Sequence, residues 1–309
     1  MGTTFRIVLY AETEAGAEEA ATAGFAEVDR LDSLLSDWNR DSELSRVSSE
    51  SRIRAPTPWL SISPDLHAVL ERALAVATAT DGAFDPTIGP LTRLWRRSYR
   101  QEALPRPAVL EAAQASVGHA FLSLRHGPDG PMLRLEKRDM RLDLGGIAKG
   151  STADAVLRTL RRRGVQHALI DAGGDLLVSG PPPDREAWTV GLEAPEHPSV
   201  RHFCDLRHGA LATSGSTYRS VTIDDATYSH LIDPRTGLGC LHQRQVNVLA
   251  GAGIDADAWA SALSVLPVET GLALAEERPD LEARVSWLDD TSSLVVRTTS
   301  GFPRVRISP

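Results

Sequence analysis

The segment 141–154, RLDLGGIAKGSTAD, constrains this chain more than any other. Leu142, Asp143 and Leu144 alternate apolar, acidic, apolar, which is the pattern of a half-buried strand end. Gly145 and Gly146 carry no Cβ, so the backbone is free to turn there or to approach a ligand closely. From Ile147 the apolar spacing becomes helical, with Ala153, Val156, Leu157 and Leu160 three and four apart. The pattern predicts a strand, a glycine turn and a helix N-terminus. Unsatisfied N–H groups and the positive end of the helix dipole face whatever lies at such a junction, and Lys149 adds a full charge. That combination suits phosphate. The same residues fit a glycine turn that only joins strand to helix, and the local pattern does not choose between the two.

Composition narrows the ligand class. A chain of 309 residues holds one large domain or two smaller ones with a real core, and 42% hydrophobic and 24% charged residues are ordinary for a globular protein. The net charge of −8 weighs against a nucleic-acid partner. Phosphate recognition must then come from local basic groups, glycine backbone or a metal. Cys204 and Cys240 make neither a disulfide framework nor a metal cluster. No apolar run reaches the length of a membrane span. The N-terminus shows no leader pattern and no lipid-attachment cysteine, so the expected location is cytoplasmic. A chain whose leader had been removed would look the same.

Along the chain, 5–10 reads as a strand and 14–35 as an amphipathic helix. A polar loop follows, 36–42, carrying Trp38; such a residue either anchors into a core or offers a stacking platform to a planar ligand. Ser42 and Ser63 are positioned as helix caps, with Pro64 in the first turn of the second of these helices. The stretch 83–90, AFDPTIGP, is too rich in Pro and Gly for a helix, and Asp85 before a proline is held extended, where its plain role is to brace the turn. A short helix is expected at 91–99 with Trp95 buried, a helix then an irregular stretch at 108–124, and a hairpin turn at 126–131. A second glycine turn, 172–175, interrupts two short strands. Strands are expected at 188–193, 211–214, 220–223, 228–232 and 245–249, helices at 255–266 and 268–277, and final strands at 284–288 and 293–297. Helices and strands mix without sustained βαβ alternation, so the expected class is α+β.

Two constellations have chemical potential. Asp257 and Ser261 lie four apart on a predicted helix, hence on one face. A carboxylate and a hydroxyl are hard oxygen ligands that suit Mg²⁺, although an acid in a first helical turn is also common on a solvated face. His230 lies in the predicted strand 228–232, and Asp233 opens the turn DPRTG that follows. A histidine beside an aspartate serves as a general base in some sites and as a satisfied structural residue in many others.

The order of the pieces is more specific than any one of them. LSDWNRDSELSRV, TDGAFDPTIGPL, DLGGIAKG, GGD, TSG with YSHLIDPRTG, and DADAWAS follow one another across residues 1–265. In that order they closely resemble the FAD:protein FMN transferase (ApbE) family. The resemblance implies one domain over 1–309, an α+β fold of mixed, largely antiparallel sheets packed with helices, and cleavage of the FAD pyrophosphate with Mg²⁺. FMN would pass by a phosphoester to a threonine of an acceptor flavoprotein, releasing AMP. It implies that Met1, Trp38, Ala83, Phe84, Asp85, Asp143, Lys149 and Ile232 belong to the FAD site. Trp38 stands where the family usually has a tyrosine stacked on adenine. Gly146 through its carbonyl, with Asp257 and Ser261, would hold the metal; Ser261 replaces the family's threonine and keeps the hydroxyl. His230 matches the base expected to deprotonate the acceptor threonine, supported by Asp233. An FAD pyrophosphatase giving free FMN and AMP fits the same motifs, since water can replace the threonine. A flavin-binding or carrier protein without turnover fits less well, because binding alone needs neither hard ligands nor His230.

Overall fold

The computed structural model describes residues 2–192, 201–215 and 220–308. The chain falls into two compact units, one comprising Asp32–Gly146 with Ser216–Gln243, the other Gly2–Leu31 with Ile147–Gly215 and Arg244–Pro309.

The second unit is built on a seven-stranded sheet whose spatial order follows the chain: Phe5–Tyr10, His167–Ala172, Asp175–Val178, Gly209–Gly215, Gln245–Ala250, Leu281–Leu288 and Leu294–Thr298. Every neighbouring pair is antiparallel. A smaller antiparallel sheet of Trp188–Leu192, Arg201–Leu206 and Arg306–Ser308 leaves it between the third and fourth strands. The strand Arg201–Leu206 was not anticipated from sequence. The glycine turn 172–175 is a tight hairpin, pairing Ala172 with Asp175. Gly173 and Gly174 take φ of 68° and 98°, which L side chains rarely adopt and which matches the twist of the flanking strands.

Two helices of this unit, Ala148–Arg162 and Gly253–Val265, cross at their N-terminal turns. The crossing is glycine on glycine. A Cβ on Gly150 would run into the Gly253 carbonyl, and one on Gly253 would meet that of Gly150. Each helix lends the other a carboxylate. Asp154 accepts from Gly253 N at 2.8 Å and Ile254 N at 2.9 Å, and Asp257 accepts from Gly150 N at 3.0 Å. Orphan N–H groups at both helix starts are thereby satisfied without a cap from the preceding residue.

The first unit carries the helices Glu43–Ile53, Pro64–Ala79, Gly89–Gln101 and Pro107–Gln114, a three-stranded antiparallel sheet and two small hairpins. Ser42 and Ser63 cap their helices as expected, accepting from Ser45 N at 3.0 Å and Leu66 N at 3.2 Å. Leu91, Trp95, Ile223 and Ile232 form one of its cores.

The α+β reading holds, with antiparallel pairing dominant. Four local readings change. Residues 142–144 make no strand; Arg141 forms a single parallel bridge with Ile88, and Leu142 and Leu144 are buried as loop residues. The predicted strand 228–232 breaks into Ala226–Ser229 and Ile232–Asp233, leaving His230 in the bend between them. The helix expected at 91–99 starts earlier, at Gly89, because Pro90 is well placed in a first turn. The helix expected at 255–266 starts at Gly253, where Asp154 supplies the acceptors that its first N–H groups need. Among the described residues no helix is long and apolar enough to cross a membrane.

Candidate active site

In the second unit the crossing helices bring Lys149 and Asp257 together. Lys149 Nζ lies 2.8 Å from Asp257 Oδ1 and donates to it. A residue not singled out from sequence completes the cluster: Asp175, the first residue after the glycine hairpin, has Oδ2 3.0 Å from the same ammonium. Its other oxygen accepts from Thr213 N at 3.0 Å. The signal was present as the D of GGD, but only the hairpin geometry shows that this side chain turns inward.

The charges do not balance. Two buried carboxylates face one ammonium, and Asp175 Oδ2 is buried without an aligned hydrogen bond even though Lys149 is close. Burial and then the charge of Asp257 push Asp175 up to about 6, with Lys149 opposing. Burial alone would lower Lys149, but Asp257 and Asp175 together hold it above its ordinary value. The Lys149 side chain keeps 25% of its surface exposed, so its charge is reachable by an anion.

This donor set fits Mg²⁺, which takes one or two carboxylates and fills its shell with water and phosphate. The excess of negative charge is what a cation on Asp257 would relieve. Ser261 lies one helical turn beyond Asp257 and is half-buried. Among the described residues no group of three His, Cys, Asp or Glu side chains has metal-holding geometry, so further ligands would have to be hydroxyl, carbonyl, water or phosphate.

In the first unit the loop 36–42 presents Trp38 outward, 65% exposed, which excludes the core-anchor reading. Arg96, from the helix Gly89–Gln101, lies over the indole at 3.8 Å. Its guanidinium pairs with Asp37 at 2.8 Å and sits 3.9 Å from Asp143 Oδ2. Burial and then Asp143 raise Asp37 above the ordinary carboxylate value, with Arg96 opposing. Arg96 therefore joins two predicted FAD residues, Trp38 and Asp143, although sequence reasoning passed over it. Its place on the face of a helix beside buried Trp95 was the available clue.

Asp143 is held by its own turn: its N–H donates to Pro86 O at 2.9 Å, and Oδ1 accepts from Gly145 N at 2.9 Å. Gly146 is half-buried directly after this turn. Asp85 braces its loop as expected, accepting from Thr87 N at 2.7 Å, Thr87 Oγ1 at 2.6 Å and His119 N at 2.8 Å. Ala83 and Phe84 are buried beside it.

His230 stands on a fixed pedestal. Ser229 N donates to Cys240 O at 2.8 Å, Cys240 N to Leu231 O at 2.8 Å, and Trp95 Nε1 to Ser229 O at 3.0 Å. Both neighbours of His230 are thus tied by their backbone, while its ring is half-buried. The Asp233 carboxylate takes a forked pair from Arg235, at 2.8 and 2.7 Å. Ile232 is buried in the Leu91–Trp95 core. Met1 lies outside the described residues.

Comparison with known proteins gives the same direction. The ApbE family model matches residues 1–285. The chain is 31% identical over 271 residues to the FAD:protein FMN transferase of Salmonella typhimurium, covering 86% of this chain and 76% of that one. It is 31% identical over 325 residues to the FAD:protein FMN transferase of Treponema pallidum, covering 99% and 87%. Among solved structures, the flavin transferase ApbE from Vibrio cholerae superposes with a TM-score of 0.86 at 27% identity, covering 98% of this chain and 95% of that one. Pseudomonas stutzeri flavinyl transferase ApbE, apo form, gives 0.84 at 27%, covering 97% and 92%. A family model spanning nearly the whole chain, two relatives above thirty per cent identity and the matching fold lead to one conclusion: the chain belongs to the ApbE family.

Proposed function

We propose that this protein is an FAD:protein FMN transferase that uses Mg²⁺ to cleave the FAD pyrophosphate, attaches FMN by a phosphoester to a threonine of an acceptor flavoprotein, and releases AMP. The observation that carries this reading is the buried Lys149–Asp175–Asp257 cluster at two helix N-termini, with its excess of negative charge. Pyrophosphate cleavage requires charge to be neutralised on phosphoryl oxygens, together with an in-line nucleophile. Bound Mg²⁺ supplies Lewis-acid neutralisation of that charge. Asp257 and Ser261 are the residues that would hold it.

Lys149 contributes the positive charge of its partly exposed ammonium to the phosphates. Trp38 offers its free indole face to adenine, with Arg96 fixing the opposite face. Asp85 keeps Ala83 and Phe84 in place by bracing their loop. His230, on its pedestal, takes the proton of the acceptor threonine as its oxygen attacks the FMN phosphorus. Asp233 holds the turn that follows through Arg235, so its contribution is to the shape of the base's surroundings.

The test is incubation with FAD, Mg²⁺ and an acceptor flavodomain, followed by mass analysis. The reading expects the acceptor to gain one FMN while AMP appears in equal amount. AMP with free FMN and an unmodified acceptor would make the protein an FAD pyrophosphatase; no AMP with a competent acceptor would overturn both.

A further inference from the structure

Lys149 faces a conflict of partners. In the structure its ammonium donates to Asp257, the carboxylate that the proposed reaction needs for a divalent cation. A cation on Asp257 and an ammonium on the same oxygen repel one another, so the lysine needs a second anchor. Asp175 is the candidate, with Oδ2 3.0 Å from Nζ and no hydrogen bond of its own.

Asp175 is unusually well fixed from behind. Its Oδ1 accepts from Thr213 N at 3.0 Å; Thr213 Oγ1 accepts from Asn247 Nδ2 at 3.0 Å; Asn247 Oδ1 accepts from Arg284 Nη1 at 3.2 Å. Arg284 also reaches Ser286 Oγ at 3.1 Å and His202 Nδ1 at 2.9 Å. The chain crosses four adjacent strands of the main sheet, and Asn247, Arg284, Ser286 and His202 are all fully buried. Polar groups set inside an apolar sheet carry a desolvation cost, and a carboxylate serving the fold alone would have both oxygens satisfied. Here one oxygen is held rigidly by the network and the other is left toward Lys149.

We propose that Asp175 is the positioning residue for Lys149: it retains the ammonium beside the phosphate site while Asp257 is given over to the divalent cation. Without the Asp175 charge, Lys149 closes onto Asp257 as its sole carboxylate and competes with the metal. The inference rests on the Mg²⁺ reading of Asp257.

The test is Mg²⁺ binding to the apoprotein, read by calorimetry and by the Mg²⁺ dependence of Tm, in wild type, Asp175→Asn, Lys149→Met and the double variant. Asp175→Asn should weaken Mg²⁺ binding about tenfold or more, the scale on which outer partners tune metal sites. Adding Lys149→Met should restore it, because the competitor is gone. Unchanged binding in Asp175→Asn overturns the proposal, and so does equal weakening in the double variant, which would mean that Asp175 serves the metal or the fold directly. Wild type that binds no Mg²⁺ yet transfers FMN without it removes the metal reading, and the proposal with it. A measurement on wild type alone guards against variants that fail to fold. The ¹⁵Nζ signal of Lys149 should stay hydrogen-bonded and protected from exchange after Mg²⁺ is added, and loss of that protection overturns the proposal.

Discussion

The two units set the same arrangement of charge against different neighbours. In the first, Arg96 faces Asp37 and Asp143, whose side chains are largely buried, while its guanidinium is stacked on an exposed indole. In the second, Lys149 faces Asp175 and Asp257, both carboxylates sunk into the base of the sheet and a helix crossing. Each places one cation between two acids, yet the setting changes what that arrangement does. In the first, one face of the cation lies on an aromatic ring open to water, so the cluster orients a stacking surface. A buried excess of charge is costly, and persists where a ligand relieves it. The first cluster suits recognition of a planar group; the second suits cation and phosphate chemistry.

The comparison is broken most severely by removing the acid that the proposal gives to the metal. Asp257→Ala should lower AMP release from FAD about a hundredfold or more, since several kcal/mol of charge stabilisation goes with the cation. Turnover within a few-fold of wild type would refute the assignment. Gly150→Ala acts on the same cluster through packing. Its Cβ meets the Gly253 carbonyl, so the helices must separate, at roughly 2–3 kcal/mol, read as a lower Tm. An unchanged Tm would mean that the crossing is looser than the structure shows.

A pH titration addresses the second cluster alone. Asp175 is raised from its ordinary 3.8 to about 6, so its protonated form is favoured in the fold. The stability this allows is complete below the unfolded value and is lost as pH rises through 3.8 toward about 6. Without Mg²⁺, Asp175→Asn should match wild type near the acid end and exceed it above pH 6, by at most about 3 kcal/mol. Denaturant midpoints at the two ends of this window check it, and a variant less stable than wild type at neutral pH contradicts it. The smallest effect on turnover belongs to the cluster beside Trp38. Arg96→Ala should raise KM for FAD a few-fold while leaving kcat near wild type, read by steady-state kinetics. A loss in kcat as large as that of Asp257→Ala would erase the distinction between the clusters.

Much of this was legible in the sequence, for reasons that particular residues make plain. Helix starts at Ser42 and Ser63 were readable because a hydroxyl cap acts locally. The GG hairpin before Asp175 was readable because two positive φ values need glycine. The role of Gly150 was not, since it depends on a helix a hundred residues later. The same holds for Asp154, whose partners Gly253 and Ile254 are distant in sequence. Leu142 to Leu144 alternated like a strand, but burial of both leucines in a loop produces the same pattern. Lys149 and Asp257 were singled out separately by family resemblance, one for FAD and one for the metal, whereas their pairing, Asp175 and Arg96 emerged only from tertiary geometry.

The most direct test of the central claim is AMP formation from FAD, with acceptor present, as Mg²⁺ is titrated in and then removed with a chelator. The account predicts that AMP and flavinylated acceptor rise together with Mg²⁺, in equal amounts, and that both stop on chelation. Equal AMP formation in fully chelated enzyme would contradict it.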